Sequence, residues 1–100
     1  MLPPKIQEML DNLIEQTKSG QLTWDYNDDE SYVSINLGNN QVTLIYGFDD
    51  IEGVSQFIVR YYDGSYNKVY SFMTNQTYRD FDKARYLYDL AQSSGLSFSF

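Results

Sequence analysis

Carboxylates are the residues of this chain best suited to chemistry. Asp25, Asp28, Asp29 and Glu30 surround one polar turn, and Asp49, Asp50 and Glu52 a later one. Paired carboxylates do general acid and base work, as in glycoside hydrolysis, and grouped carboxylates hold hard cations such as calcium. The stretch from Asp25 to Glu30 offers oxygen ligands at alternate positions, as a calcium loop does. The rest of that loop is wrong. Glu30 stands where it needs glycine, Asn36 stands where a bidentate glutamate closes it, and the flanking segments read as strands. No EF-hand is expected and no metal ligands are assigned. The acid groups then either present phosphate-like charge to a basic groove or keep the protein in solution.

Histidine and cysteine are both absent. Their absence removes the commonest zinc ligands, the commonest general base, and every Ser-His or Cys-His pairing. No GxSxG, Walker, dinucleotide-binding or HExxH pattern occurs, and no carboxylate spacing specifies a catalytic pair. The expectation is a protein that is not an enzyme, with no catalytic residues and no cofactor.

Fourteen acidic residues against seven basic ones give a net charge of -7. Such a charge repels nucleic-acid phosphates and anionic membranes, so the expected partner is a protein with a basic surface. The first eighteen residues carry charges throughout their apolar pattern, and no run reaches the length of a membrane span. A cytoplasmic location is expected.

These groups need a frame, and hydrophobic periodicity supplies one. After Pro3 and Pro4, residues Ile6, Met9, Leu10, Leu13 and Ile14 recur at the spacing of one helix face, and Gly20 suits its C-terminal cap. From Leu22 the period becomes two: Leu22, Trp24 and Tyr26, then Val33, Ile35 and Leu37, then Val42, Leu44 and Tyr46 line one side of three strands. Gly38-Asn39-Asn40 is a tight hairpin signal, and Gly47 to Ser55 reads as a longer loop. A last hairpin, Gln56 to Tyr62 and Asn67 to Met73, turns around Asp63-Gly64. Thr74 or Thr77 suits the start of a second helix, with Thr77 and Asp80 loosely matching a capping box. Phe81, Ala84, Leu87, Tyr88 and Ala91 form that helix's buried stripe. Ser97 to Phe100 alternates like a short sixth strand, free to pair with a sheet edge of its own or of a second copy.

Hairpin-length connections require antiparallel neighbours. The expected fold is therefore α+β: a single domain over 1–100 with a five- to six-stranded antiparallel meander and both helices packed on one face. In a meander both acidic bends leave from one end of the sheet.

Ten tyrosines and six phenylalanines exceed what one sheet face hides. With Phe57, Val59 and Tyr61 inward alongside Val69, Ser71 and Met73, the outward set is Ile58, Arg60 and Tyr62 with Lys68, Tyr70 and Phe72, joined by Ile45. Exposed apolar patches containing tyrosine and arginine mark interfaces, although the same residues also pair across ordinary sheets.

The run Leu13-Ile14-Glu15-Gln16-Thr17-Lys18-Ser19-Gly20-Gln21-Leu22-Thr23-Trp24 resembles the opening of a group of small bacterial and phage proteins of unknown function. Those join a helix ending Thr-Lys-x-Gly to a tryptophan-bearing strand and close with a helix like Ala84 to Ser93. The resemblance implies no activity and carries no functional residues. By size and charge alone the chain also resembles phage-encoded inhibitors such as anti-CRISPR proteins and DNA mimics.

The expected function is a non-catalytic, acidic protein-binding module of inhibitor or accessory type. Its docking residues are Asp25, Asp28, Asp29, Glu30, Asp49, Asp50, Glu52, Ile58, Arg60, Tyr62, Tyr70 and Phe72. The alternatives are a small-molecule or divalent-metal-binding domain, with its ligand between helices and sheet or among the acidic loops, and a structural homodimer packed through its outer sheet faces.

Overall fold

The first helix, α1 (Pro4–Lys18), starts as its prolines dictate: Pro3 is extended, and its carbonyl receives the Ile6 and Gln7 amides at 3.0 Å each. Leu10, Leu13, Ile14 and Thr17 form the buried face. The helix ends in a Schellman motif, with Gly20 N–H donating to the Thr17 carbonyl (3.2 Å) and Gln21 N–H to the Gln16 carbonyl (2.9 Å). Gly20 holds φ at +83°, which glycine adopts without penalty. The computed structural model describes residues 1–96, and the expected strand at Ser97 to Phe100 lies outside them.

Five strands follow in one antiparallel meander: β1 (Asp25–Asn27), β2 (Tyr32–Leu37), β3 (Asn40–Asp49), β4 (Val54–Asp63) and β5 (Lys68–Asn75). The second helix, α2 (Asp80–Gln92), closes the α+β fold. It lies across one face of the sheet, with α1 packed against it. Val33, Leu44 and Val59 form a fully buried row on that face, flanked by Ile35, Val42 and Phe57. They share one core with Leu10 and Leu13 of α1 and with Phe81, Ala84, Leu87, Tyr88 and Ala91, the stripe expected of α2. Among the described residues no helix is long and apolar enough to cross a membrane.

Two polar ties bind the elements across the chain. Trp24 donates through Nε1 to Thr17 Oγ1 (3.0 Å) and through its amide to Ser94 Oγ (2.8 Å), joining α1, the approach to β1 and the end of α2. This commitment of the Trp24 amide makes β1 shorter than the strand expected from Leu22. Asp80, 6% exposed, receives the Leu2 amide on Oδ2 (2.6 Å) and the Thr74 hydroxyl on Oδ1. It is a structural anchor and not a cap; Arg79 occupies the N-cap position without a side-chain bond.

Three expectations at the strands are corrected. Gly47 does not begin a loop: it pairs with Gln56 inside a hairpin whose turn is only Asp50 to Gly53. Tyr32 pairs with Ile45, so β3 and β4 run on together beyond the end of β2 for roughly 13 Å, at the ordinary rise of a strand. The last hairpin pairs Asp63 with Lys68, leaving Gly64 to Asn67 as its loop. In that register Phe57 faces Thr74, Val59 faces Phe72 and Tyr61 faces Tyr70. Directly opposed residues share a face, so Tyr70 and Phe72 point to the helix side and Val69, Ser71 and Met73 point outward, the reverse of the expectation.

Candidate binding site

The acidic bends do leave one end of the sheet. Asp28, Asp29 and Glu30 lie in the exposed β1–β2 turn, and Ser31 at its close accepts the Tyr46 amide at 2.9 Å, holding the turn against β3. Asp50 and Glu52 occupy the tip of the projecting β3–β4 hairpin. Several of these groups shape the turns that carry them. Asp49 Oδ1 accepts the Ile51 and Glu52 amides (3.0 and 3.3 Å), and Asp28 Oδ1 accepts the Tyr26 hydroxyl (2.7 Å). Asp25 lies apart on β1, opposite Ser34 on the outward face. Among the described residues no three carboxylates are placed to hold a metal ion.

Two apolar side chains stand among these charges. Phe48 is 54% exposed and Ile51 96% exposed, both on the projecting hairpin. The alternation Val42, Leu44, Tyr46 continues to Phe48, a signal hidden by reading Gly47 as a break.

The outward sheet face is uncovered and more polar than expected. Tyr32, Ile45, Ile58 and Met73 make one apolar row across four strands, and the neighbouring row is Ser34, Thr43, Arg60 and Ser71. Glu30 and Arg60 line a shallow depression on this face, while Tyr62 lies between Gln41 and Val69. The face therefore brings Ile58, Arg60 and Tyr62 together but not Tyr70 or Phe72. Tyr70 instead packs beside Tyr61, their ring centres 6.3 Å apart, and Phe72 is partly buried against the core.

A cavity lies on the helix side, where the long hairpin passes α2. This open cleft of about 610 Å³ has Tyr46, Ser55 and Phe57 of the hairpin on one wall and Asp82, Arg85 and Asp89 of α2 on the other. Tyr26, Tyr88 and Phe81 complete an aromatic lining, and Gln76 and Gln92 add amides. Tyr88 is the hub: its ring centre lies 6.3 Å from Tyr26, 6.5 Å from Tyr46 and 5.2 Å from Phe57. Phe57 also meets Tyr46 edge-on at 5.5 Å and Phe81 at 5.4 Å. Tyr46 and Tyr88 belong to the expected core pattern. What turns them into a cleft is the overhang of the hairpin, which carries core-facing positions past the sheet's short edge.

Two phenols of the cleft, those of Tyr88 and Tyr26, are held neutral. Burial above all, with the nearby Tyr26 and Asp28, pushes Tyr88 up to about 12. The hydrogen bond to Asp28, followed by burial, also raises Tyr26. Neither supplies a phenolate near neutral pH. The cleft offers ring surfaces, hydroxyls, amides and charged groups of both signs. No protein family, curated protein or solved structure matches the chain.

Proposed function

We propose that this chain is a non-catalytic module that docks a basic protein surface against the acidic end of its sheet, in the manner of an inhibitor or accessory factor. The observation that carries the reading is the β3–β4 hairpin, which holds exposed Phe48 and Ile51 among Asp49, Asp50 and Glu52 at the same end of the sheet as the acidic β1–β2 turn. Apolar anchors ringed by like charge suit an interface: the charges steer a basic partner in, and the apolar groups add contact area. The net charge of -7 also supports it.

A lysine-rich peptide is the probe, and its binding to two charge-matched variants is the test. Asp50→Asn with Glu52→Gln removes two charges from the hairpin tip, and Glu8→Gln with Glu15→Gln removes two from the exposed side of α1. The tip variant should bind about five-fold more weakly than the α1 variant. Equal affinities would remove the acidic end as the docking surface.

The cleft favours a second reading, a small-molecule-binding domain, because its volume suits a ligand pocket. A compound that raises the melting temperature of the intact protein, but not of Tyr46→Ala, would support this reading over the first.

A further inference from the structure

We propose that the aromatic cleft is a receptor for a guanidinium group, an arginine side chain contributed by the docked protein; the assignment rests on the protein-binding reading above and names the partner chemistry. The cleft opens at the same end of the molecule as the hairpin tip, so a partner seated on the tip can reach it. Tyr26 and Tyr46, 40% and 39% exposed, are the open rings of its lining, and each meets the buried ring of Tyr88 from a different strand. Aromatic faces attract cations through their quadrupole, and a planar guanidinium also stacks on them, which an ammonium does not.

The net charge of the wall suits a cation. Asp82 and Asp89 lie three residues before and four residues after Arg85 on α2, about one helical turn on either side. Two carboxylates against one guanidinium leave this wall negative, in a chain that is itself strongly acidic. A carboxylate accepts two parallel N–H bonds from arginine, a geometry lysine lacks. The Gln92 amide supplies a further acceptor for the remaining guanidinium protons, while Gln76 Oε1 already receives the Ser55 amide (2.6 Å) and Ser55 Oγ pairs with the Tyr46 hydroxyl (2.9 Å). The cavity is larger than one guanidinium, and the aliphatic stem and neighbouring peptide backbone occupy the rest.

The test uses capped glycyl-arginyl-glycine and the same peptide with citrulline, which keeps the shape and lacks the charge. Binding to the intact protein is followed by the ring signals of Tyr26, Tyr46 and Tyr88 in nuclear magnetic resonance spectra. The arginine peptide should shift those signals and bind at least about three-fold more tightly than the citrulline peptide. Asp89→Asn, at an exposed position where folding is not at stake, should weaken the arginine peptide about three-fold, and Tyr46→Ala should weaken it similarly. Equal binding of arginine and citrulline overturns the proposal. So does occupation of the cleft by the glutamate counterpart in a manner lost in Arg85→Gln. Unmoved ring signals, together with a tip-dependent response to the lysine-rich peptide, overturn the guanidinium assignment alone and leave the docking reading standing.

Discussion

Asp80 shows how far a single residue's role can lie from its sequence context. Its position three residues after Thr77 suggests a helix start, yet its carboxylate turns inward to a backbone amide near the other end of the chain and to Thr74. A bond between residues so distant leaves no local trace, so the anchor was not legible. Asp80→Ala strips partners from two buried donors and should lower unfolding stability by about 2–4 kcal/mol, measured by urea denaturation. An unchanged midpoint would show that the anchor contributes nothing. Tyr88 gives a second residue-scale expectation. Its phenol titrates near the ordinary value of 10 when unfolded and at about 12 when folded, so the folded state holds the proton more tightly. Its contribution is intact below pH 10 and is lost as the pH rises toward 12. Tyr88→Phe should flatten the fall in stability over that window, and an equally steep fall in the variant would assign it to other groups.

At the scale of elements, helical stripes were the most legible feature because their spacing repeats over several turns: every residue assigned to the α2 stripe is buried. Strand ends were less so. Gly47 has the composition of a breaker but lies within β3, where the Gln56 side chain passes over the space a side chain would fill. The outward face of β5 was misjudged because alternation gives a strand two sides without saying which one meets the core; only the pairing to β4 decides it. Trp24 and Tyr26 fell on the side of the chain expected, while the strand itself shrank to β1. The hairpin loops offer a test of this frame. A Cβ on Gly64 would collide with the Asn39 carbonyl oxygen, and the Gly64 amide donates to Asn40 Oδ1 (3.2 Å), so two loops meet there. Gly64→Ala should cost about 2 kcal/mol or more, because backbone and not a flexible side chain must yield. Gly20→Ala has open space and only the left-handed backbone to oppose it, and should cost about 1 kcal/mol. Thermal melts that rank these two in the opposite order would contradict the loop contact.

For the molecule as a whole, the meander places its acidic turns together at one end, and this was readable from hairpin connections without coordinates. The unequal length of the strands was not. The overhang of β3 and β4 lifts Asp50 and Glu52 away from Asp28 to Glu30, exposes Phe48 and Ile51, and opens the aromatic cleft against α2. A candidate site residue such as Tyr46 could not be told from a core tyrosine until that overhang was seen. Because the proposed docking end is exposed and charged, its attraction for a basic peptide should weaken steadily with added salt, while the stability of the apolar core changes little. Binding that is indifferent to ionic strength would shift the interface to an uncharged surface such as the outward row of Tyr32, Ile45, Ile58 and Met73. The most direct measurement is backbone amide mapping of the protein titrated with a lysine-rich peptide. Shifts confined to the Asp28–Ser31 turn and the Tyr46–Ser55 hairpin are the expected result. Shifts centred on α1 or on β5, with the hairpin tip unmoved, would contradict docking at the acidic end.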